Sequence, residues 1–343
     1  MVSTLTHHII THHPPAHDAF LPLFQNITAD EAKRMLFVDT SPQEKRQALR
    51  DALTDDGILR LPGAFSPLVA MLFEEQGFDG IYISGAVLSA DLGLPDVGLT
   101  TMTEVLQRGR QIARVTNLPS IIDVDTGFGE ALNMARTIQG LEEHGLAGCH
   151  LEDQVNPKRC GHLDHKSLVP TETMVQKIRA AVQARRDDNF LLIARTDARS
   201  VEGMDAALDR ARTYVEAGAD GLFPEGLTTE REFARFGEAF DVPLLANMTE
   251  FGKSPLLEAS KLDELGYDLV IYPVTSLRLA MKTVEESFET IQEEDTQQSL
   301  LGDMQTRSGL YELLQYSRYN TFDDSIYNFS LDDDGSETGT EGT

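Results

Sequence analysis

The sequence predicts an α/β fold, a (β/α)8 TIM barrel, between about Gly57 and Glu294. Short apolar runs alternate there with longer amphipathic runs, which gives eight strand-then-helix units. Eight units and roughly 240 residues are typical of this barrel. An open doubly wound sheet is the alternative, but it needs a glycine-rich phosphate turn after its first strand, and Leu61–Phe65 is not such a turn. We therefore expect a barrel.

The eight units follow one another along this stretch. The predicted strands are Gly57–Pro62, Phe78–Ser84, Ser120–Asp125, Ala147–Glu152, Phe190–Arg195, Gly221–Pro224, Pro243–Ala246 and Asp268–Tyr272. The predicted helices are Ser66–Gln76, Thr103–Asn117, Glu130–His144, Thr171–Arg186, Met204–Ala217, Thr229–Phe236, Pro255–Leu265 and Ser276–Glu294. Ser66 and Pro67 are typical of the beginning of a helix, and Gly145 is typical of the residue after one.

Beyond the barrel, residues 306–329 are predicted to form one or two helices rich in aromatic side chains. Such helices need a surface to pack against, so we expect an arm over about 296–330 that packs on another subunit. Packing on the chain's own barrel is the alternative. Residues 1–28, which contain five histidines, and the acidic tail 331–343 are expected to be disordered. The single domain then spans 29–330.

The charge balance excludes several classes of partner. Asp and Glu outnumber Lys and Arg by 56 to 29, which gives a net charge of −27. Such a surface repels nucleic acid and anionic membranes, so we expect neither as a partner. Because Lys is scarce as well, the surface suggests adaptation to concentrated salt. With two cysteines, no secretion signal and no apolar run of the roughly 20 residues that span a membrane, we expect a cytoplasmic protein.

Polar side chains follow the predicted strands, where a barrel carries its active site. Each of them alone could be a helix cap or a turn residue. Several carboxylates in one place repel one another unless a hard cation lies among them, and oxygen ligands suit Mg²⁺ or Mn²⁺. Arginine in the same place suits a carboxylate substrate. These residues are Tyr82–Ala86, Asp123, Asp125, Glu152, Asp153, Arg195–Asp197, Glu225, Asn247–Thr249 and Arg278.

A cysteine lies among cationic side chains in the segment Lys158–His162, whose sequence is KRCGH. Lysine, arginine and histidine stabilise a thiolate, which makes Cys160 usable as an acid, a base or a nucleophile. A surface loop that merely contains these residues is the alternative.

Several motifs together resemble the isocitrate lyase/phosphoenolpyruvate mutase superfamily, and within it the 2-methylisocitrate lyases. They are DVDTGFG at 123–129, HLEDQ at 150–154, KRCGH at 158–162 and ARTDA at 194–198, with further similarity at 222–225, 247–252, 272–273 and 304–307. The resemblance runs from about residue 57 to residue 319. It implies a barrel with a swapped C-terminal helix, usually in a homotetramer, and cleavage of a small tricarboxylate into succinate and a 2-oxo acid.

The resemblance also implies roles for individual residues. Asp123 would bind Mg²⁺ (or Mn²⁺) directly, with Asp96, Asp125 and Glu152 in its shell. Tyr82, or a group coupled to it, would remove the hydroxyl proton, and Cys160 would protonate the succinate carbanion, tuned by Lys158, Arg159 and His162. The implied substrate-binding residues are Ser84, Gly85, Ala86, Cys160, Gly161, Arg195, Glu225, Asn247, Thr249, Arg278 and Arg307. Ala86 stands where these lyases commonly have glycine.

The favoured function is cleavage of 2-methylisocitrate to succinate and pyruvate in propionate catabolism. Phe223, Ile271 and Pro273 would surround the methyl group. Isocitrate cleavage to succinate and glyoxylate is the alternative, because one methyl group is worth only about 1–3 kcal/mol. A phosphonomutase, an oxo-acid decarboxylase or a hydrolase of the superfamily would generally lack KRCGH. A catalytically inactive barrel predicts losses at the site, and the motif residues are all present.

Overall fold

The computed structural model describes residues 38–161 and 165–327. The chain divides into two compact units, and the unit that covers 37–314 contains all eight strands. The described part of the other unit, 315–327, forms one helix. The extension 1–28, the tail 331–343 and His162 lie outside the described residues, and the single domain over 29–330 remains a prediction.

Strands and helices alternate along the larger unit. The strands are β1 (Leu59–Pro62), β2 (Ile81–Ile83), β3 (Ser120–Asp123), β4 (Gly148–Glu152), β5 (Leu191–Thr196), β6 (Gly221–Pro224), β7 (Leu245–Asn247) and β8 (Leu269–Tyr272). Its helices are α1 (Pro42–Ala52), α2 (Pro67–Glu75), α3 (Gly85–Asp91), α4 (Met102–Ala113), α5 (Ala131–Glu143), α6 (Thr171–Ala184), α7 (Ala198–Val201), α8 (Met204–Glu216), α9 (Glu230–Gly237), α10 (Ala259–Glu264), α11 (Thr275–Glu294) and α12 (Arg307–Leu313). A short 3₁₀ helix covers Gln298–Leu300, and α13 (Tyr316–Tyr327) belongs to the second unit.

All of the strand pairs are parallel. Strands β2 to β6 form one hydrogen-bonded group in sequence order, and β1, β8 and β7 form another in that order. Single parallel bridges join Gly63 to Tyr82 and Leu222 to Leu244. Each predicted strand and the helix predicted after it is present. The prediction of an α/β fold with parallel strands is therefore confirmed.

The boundaries differ from the prediction at the end of β3. The strand ends at Asp123 because its carboxylate accepts the backbone N–H of Asp125 at 2.9 Å, which forms a turn. Asp125 then adopts a left-handed backbone conformation with φ 47°. Strand alternation therefore does not extend to Asp125, although its carboxyl group is still buried.

Three helices were not predicted, namely α1, α3 and α7. The sequence carries a signal for α1, because Ser41 and Glu44 form a capping box around Pro42 at the first helical position. Helices α3 and α7 are only 7 and 4 residues long, too short for helical periodicity to show.

An inner core lies among the strands, separate from the larger core between strands and helices. Its members come from successive strands and include Leu61, Ile121, Leu191, Leu245 and Leu269. Leu49 of α1 joins this inner cluster, and Leu53 and Leu59 pack beside it. Helix α1 therefore contributes to the inner core and covers part of it.

Two buried cations hold α1 in place. The Lys45 ammonium donates to the carbonyl oxygens of Ala113 at 2.8 Å and Thr116 at 2.5 Å. The Arg46 guanidinium donates to the carbonyls of Leu146 and Glu142. These carbonyls lie at or near the ends of α4 and α5, where backbone acceptors lack helical partners. Both cations are thus satisfied although they are only 3% exposed.

Helix α11 carries large apolar side chains on its surface. Leu279 and Phe288 are each 65% exposed, and no residue of this 20-residue helix is buried. Within the described ranges, none of the helices has the length and apolar character needed to cross a membrane.

Candidate active site

The carboxyl ends of the parallel strands bring acidic and basic groups together at one edge. Arg195 of β5 is central, with its Nε 3.3 Å from Oε2 of Glu152 and its Nη1 3.4 Å from Oε2 of Glu225. Asn247, the last residue of β7, donates to the same Glu225 oxygen at 3.1 Å. The Arg195 guanidinium also lies 5.1 Å from the centre of the Phe223 ring. Four strands thus supply one buried polar cluster.

Asp123 and Asp125 lie at the end of β3 with almost no exposure to solvent. Asp123 Oδ2 accepts the Gly85 backbone N–H at 3.3 Å. A Cβ atom at position 85 would come within 2.9 Å of that oxygen, so glycine is required for this approach. Of the predicted substrate-binding segment Ser84–Ala86, the Gly85 amide is therefore already engaged with a carboxylate.

Lys158 extends from the KRCGH segment into this acidic group. Its ammonium is 3% exposed, pairs with Asp125 Oδ1 at 2.8 Å and also contacts Asp96. Burial and the negative charge of Asp123 nevertheless raise the pKa of Asp125 to about 6. Lys158 therefore only partly offsets the repulsion among these carboxylates.

Tyr82 and His150 form a buried pair next to Asp123. The Tyr82 hydroxyl is 2.7 Å from Nε2 of His150, and the two rings are stacked. Burial raises the pKa of Tyr82 well above its usual value and lowers the pKa of His150 to about 4. Both side chains are therefore neutral near pH 7. His150 is the partner of Tyr82 that the sequence pattern alone did not identify.

The KRCGH segment also reaches the arginine side of the cluster. Gly161 is so close that a Cβ atom there would lie 2.4 Å from Cγ of Glu225 and 2.5 Å from Nη2 of Arg195. Cys160, the preceding residue, is partly buried. The other cysteine, Cys149, is fully buried in β4, and burial raises the pKa of its thiol.

The carboxylate oxygens gathered at the strand ends suit a hard divalent cation. Neither oxygen of Glu152 has a hydrogen-bond donor, although Oε2 pairs with Arg195. Across residues 38–161 and 165–327, no three acidic, histidine or cysteine side chains converge closely enough to hold a metal on protein ligands alone. Mg²⁺ usually keeps several waters and uses one or two carboxylates, so both observations suit it.

The remaining predicted residues divide into two groups. Thr249, Phe223 and Ile271 are buried at or near the strand ends, and Pro273 directly follows β8. Arg278 instead lies 3.6 Å from Glu250 and stacks on Phe251, and Arg307 is exposed on α12. The ion pairs and hydrogen bonds described for the cluster include neither arginine.

A second buried network, behind the cluster, was not predicted. Asp153 accepts the Tyr214 hydroxyl at 2.9 Å, the Thr196 hydroxyl at 2.8 Å and the Asp197 backbone N–H at 3.0 Å. Lys166 pairs with Asp197 from the loop side at 2.7 Å. Asp153 and Asp197 both lie in sequence motifs, but only the tertiary structure shows the hydrogen bond between them.

Comparison with known proteins agrees with this geometry. Residues 49–292 match the phosphoenolpyruvate phosphomutase family. The chain also superposes with a TM-score of 0.77 on 2,3-dimethylmalate lyase, a member of the PEP mutase/isocitrate lyase superfamily, at 32% identity over 85% of this chain and 99% of that one. The chain belongs to this superfamily.

Other members of the PEP mutase/isocitrate lyase superfamily are similar over most of their length. A probable 2-methylisocitrate lyase of Corynebacterium glutamicum is 56% identical over 85% of this chain and 95% of its own. Phosphonopyruvate hydrolase, solved in complex with oxalate and Mg²⁺, has a TM-score of 0.75 and 32% identity over 83% of this chain and 99% of its own. The resemblance inferred from the motifs is thereby confirmed.

Proposed function

We propose that the chain is a Mg²⁺-dependent carbon–carbon lyase that cleaves 2-methylisocitrate to succinate and pyruvate. The observation that carries the proposal is the approach of the KRCGH segment to the strand-end cluster, with Lys158 on Asp125 and Gly161 against Arg195. This arrangement places the segment that contains Cys160 against both the strand-end carboxylates and Arg195. High identity to a 2-methylisocitrate lyase supports the choice of reaction.

Mg²⁺ would be held by Asp123, with Asp125, Glu152 and Asp96 contributing through water or directly. When bound, it would supply positive charge that stabilises the oxygen of the developing 2-oxo acid. The solved complex of phosphonopyruvate hydrolase with Mg²⁺ supports this assignment. Mn²⁺ has similar ligand preferences and could replace it.

Tyr82 is the proposed acceptor of the substrate hydroxyl proton. Its own proton can pass to Nε2 of His150 at 2.7 Å, and the Asp123 carboxylate 3.7 Å from Nε2 would stabilise the positive charge that His150 then carries. The oxygen electrons then form the carbonyl of pyruvate as the carbon–carbon bond breaks, and the bonding pair goes to the succinate carbon. The Cys160 thiol donates a proton to that carbon and is left as a thiolate, while the hydroxyl proton stays on the Tyr82–His150 pair; transfer of that proton through solvent restores both groups.

Arg195 is the proposed anchor for a substrate carboxylate, and Ser84–Ala86, Cys160, Gly161, Glu225, Asn247 and Thr249 are the other proposed substrate contacts. Its guanidinium is already held by Glu152 and Glu225, which fixes its orientation before substrate binds. Arg278 and Arg307 remain proposed substrate contacts.

Substrate choice is proposed to depend on Phe223, Ile271 and Pro273. We expect kcat/KM for 2-methylisocitrate to exceed that for isocitrate by about 10- to 200-fold, the range that one buried methyl group provides. Coupled assays of pyruvate and glyoxylate formation, at low and at molar salt, would measure it. A higher kcat/KM for isocitrate would favour the alternative lyase, and release of inorganic phosphate from phosphonopyruvate would favour a phosphonate-acting relative.

Metal removal gives a separate test. Chelation by EDTA should abolish turnover, and added Mg²⁺ or Mn²⁺ should restore it. The carboxylates are themselves negative and cannot stabilise the charge that develops on the oxygen of the 2-oxo acid without a cation. Asp123→Asn should weaken Mn²⁺ binding measured by electron paramagnetic resonance in the absence of substrate. Full activity after exhaustive dialysis against EDTA would contradict a metal requirement.

The architecture proposed for this enzyme is a closed (β/α)8 barrel in a cytoplasmic homotetramer with swapped C-terminal helices. The single bridges between β1 and β2 and between β6 and β7 support closure. The exposed apolar side chains of α11, such as Leu279 and Phe288, support burial against another subunit. The net charge of −27 supports adaptation to salt.

A further inference from the structure

Lys166, which lies outside the KRCGH motif, has a buried ammonium close to Cys160. Its side chain is 1% exposed. It donates to the backbone carbonyl of Gly161 and to Oδ1 of Asp197, the latter at 2.7 Å. A buried ammonium is costly unless it is paired and hydrogen-bonded, and here both partners are fixed parts of the site.

Asp197 is a rigid anchor for this ammonium. Its Oδ2 accepts from Nε of Arg195 at 3.0 Å, and its backbone N–H donates to Asp153. Asp153 is itself held by the Tyr214 hydroxyl of α8. Any group that binds Asp197 is thereby fixed with respect to β5 and α8.

The Gly161 end of the contact is equally constrained. Gly161 lies against Glu225 and Arg195 without space for a Cβ atom. On the other side of Cys160, the side-chain amide of Gln154 bonds both the N–H and the carbonyl of Arg159, each at 2.9 Å. Cys160 therefore lies between two tethered residues, and Lys166 supplies the tether on the Gly161 side.

We propose that Lys166 is a positioning residue that ties the Gly161 carbonyl to Asp197 and so places Cys160 beside the arginine–glutamate cluster. The proposal rests on the proposed function for the catalytic meaning of Cys160, but the placement itself can be tested without turnover. Methionine is similar in length to lysine but has no N–H donors, so Lys166→Met removes the two hydrogen bonds and keeps most of the packing.

Lys166→Met tests this placement through the chemistry of Cys160. The rate of alkylation by iodoacetamide, followed against pH by mass spectrometry, reports both the accessibility and the acidity of the Cys160 thiol. Cys149 does not compete because it is fully buried. We expect the Cys160 rate to change at least 10-fold, and kcat to fall about 100-fold with a smaller change in KM, as misplacement of a reacting group by about 1 Å does. Lys166→Arg should recover part of both.

Lys45→Met is the matched control. Like Lys166, Lys45 is a buried lysine with two hydrogen-bond acceptors. It belongs to α1, and its acceptors are the backbone carbonyls of Ala113 and Thr116. Its removal should lower the melting temperature and leave the alkylation profile and kcat unchanged. Should Lys166→Met fail to fold, Lys166→Gln keeps an N–H donor with a shorter reach, and we expect a shift in the same direction.

The outcomes separate this proposal from the proposed function. An unchanged alkylation profile and kcat in folded Lys166→Met would overturn the positioning role while the lyase assignment stands. A changed profile in a protein that cleaves neither substrate would support the positioning role and overturn the lyase assignment. Equal effects of Lys45→Met and Lys166→Met would reduce Lys166 to a general contributor to stability, which also overturns the proposal.

Discussion

Replacement of Cys160 by serine is expected to lower kcat by about 10²- to 10⁴-fold, the usual contribution of a general acid. Serine keeps the size of the side chain but is a far weaker acid than a thiol, so the succinate carbanion would lack its proton donor. Steady-state kinetics with 2-methylisocitrate measures the loss. Isothermal titration should show that substrate still binds in the presence of Mg²⁺.

Cys149→Ser is the control for this experiment, because Cys149 is a buried residue of β4 in the core and contacts no substrate in the proposed mechanism. It should reduce stability, since a hydroxyl replaces a thiol among apolar side chains, and leave kcat near that of the unaltered protein. Near-normal kcat in Cys160→Ser would remove Cys160 from the mechanism.

Asp153→Asn is expected to lower the free energy of unfolding by about 2–4 kcal/mol. The variant leaves a buried donor without its acceptor and the Arg210 guanidinium, 3.6 Å away, without its counter-charge. Both oxygens of Asp153 accept hydrogen bonds, from Tyr214, Thr196 and the Asp197 amide, and the Asn amide nitrogen cannot accept. Urea unfolding followed by circular dichroism measures the difference.

Asp209→Asn gives the comparison for Asp153. The Asp209 side chain is 77% exposed and has one ion pair, with Arg212 on the same helix. Exposed pairs of this kind contribute about 0–1 kcal/mol, so the variant should unfold close to the unaltered protein. A similar small effect for Asp153→Asn would mean that the buried network is not a main source of stability.

Much of the fold could be predicted because local periodicity marks it. The strands are short apolar runs, and the helices between them carry clear caps such as Ser66. Helix α1 was missed although Ser41 and Glu44 signal its start, because no predicted strand precedes it. The turn at Asp125 is not visible in the apolar pattern, because the strand is ended by a hydrogen bond from the Asp125 backbone N–H to the Asp123 carboxylate.

Motifs identify several of the residues that the structure brings together at the candidate site, but not the contacts among them. Motifs identified Lys158, Arg195 and Glu225, and the structure brings Lys158 to the acidic side of the site and Arg195 beside Glu225. No sequence pattern shows that the Lys158 ammonium reaches Asp125 or that Lys166 reaches Asp197, because those contacts join segments far apart in the chain. Long-range hydrogen bonds of this kind are set by the assembled fold.

The packing of α1 on the inner core bears on where the folding unit begins. Leu49 packs on side chains from the strands, and the Lys45 and Arg46 donors hold the helix to backbone carbonyls near the ends of α4 and α5. A chain shortened to start at β1 would lose these hydrogen bonds and expose the part of the inner core that Leu49 covers. We therefore expect the shortest chain that still folds to start no later than Ser41, well ahead of the first strand.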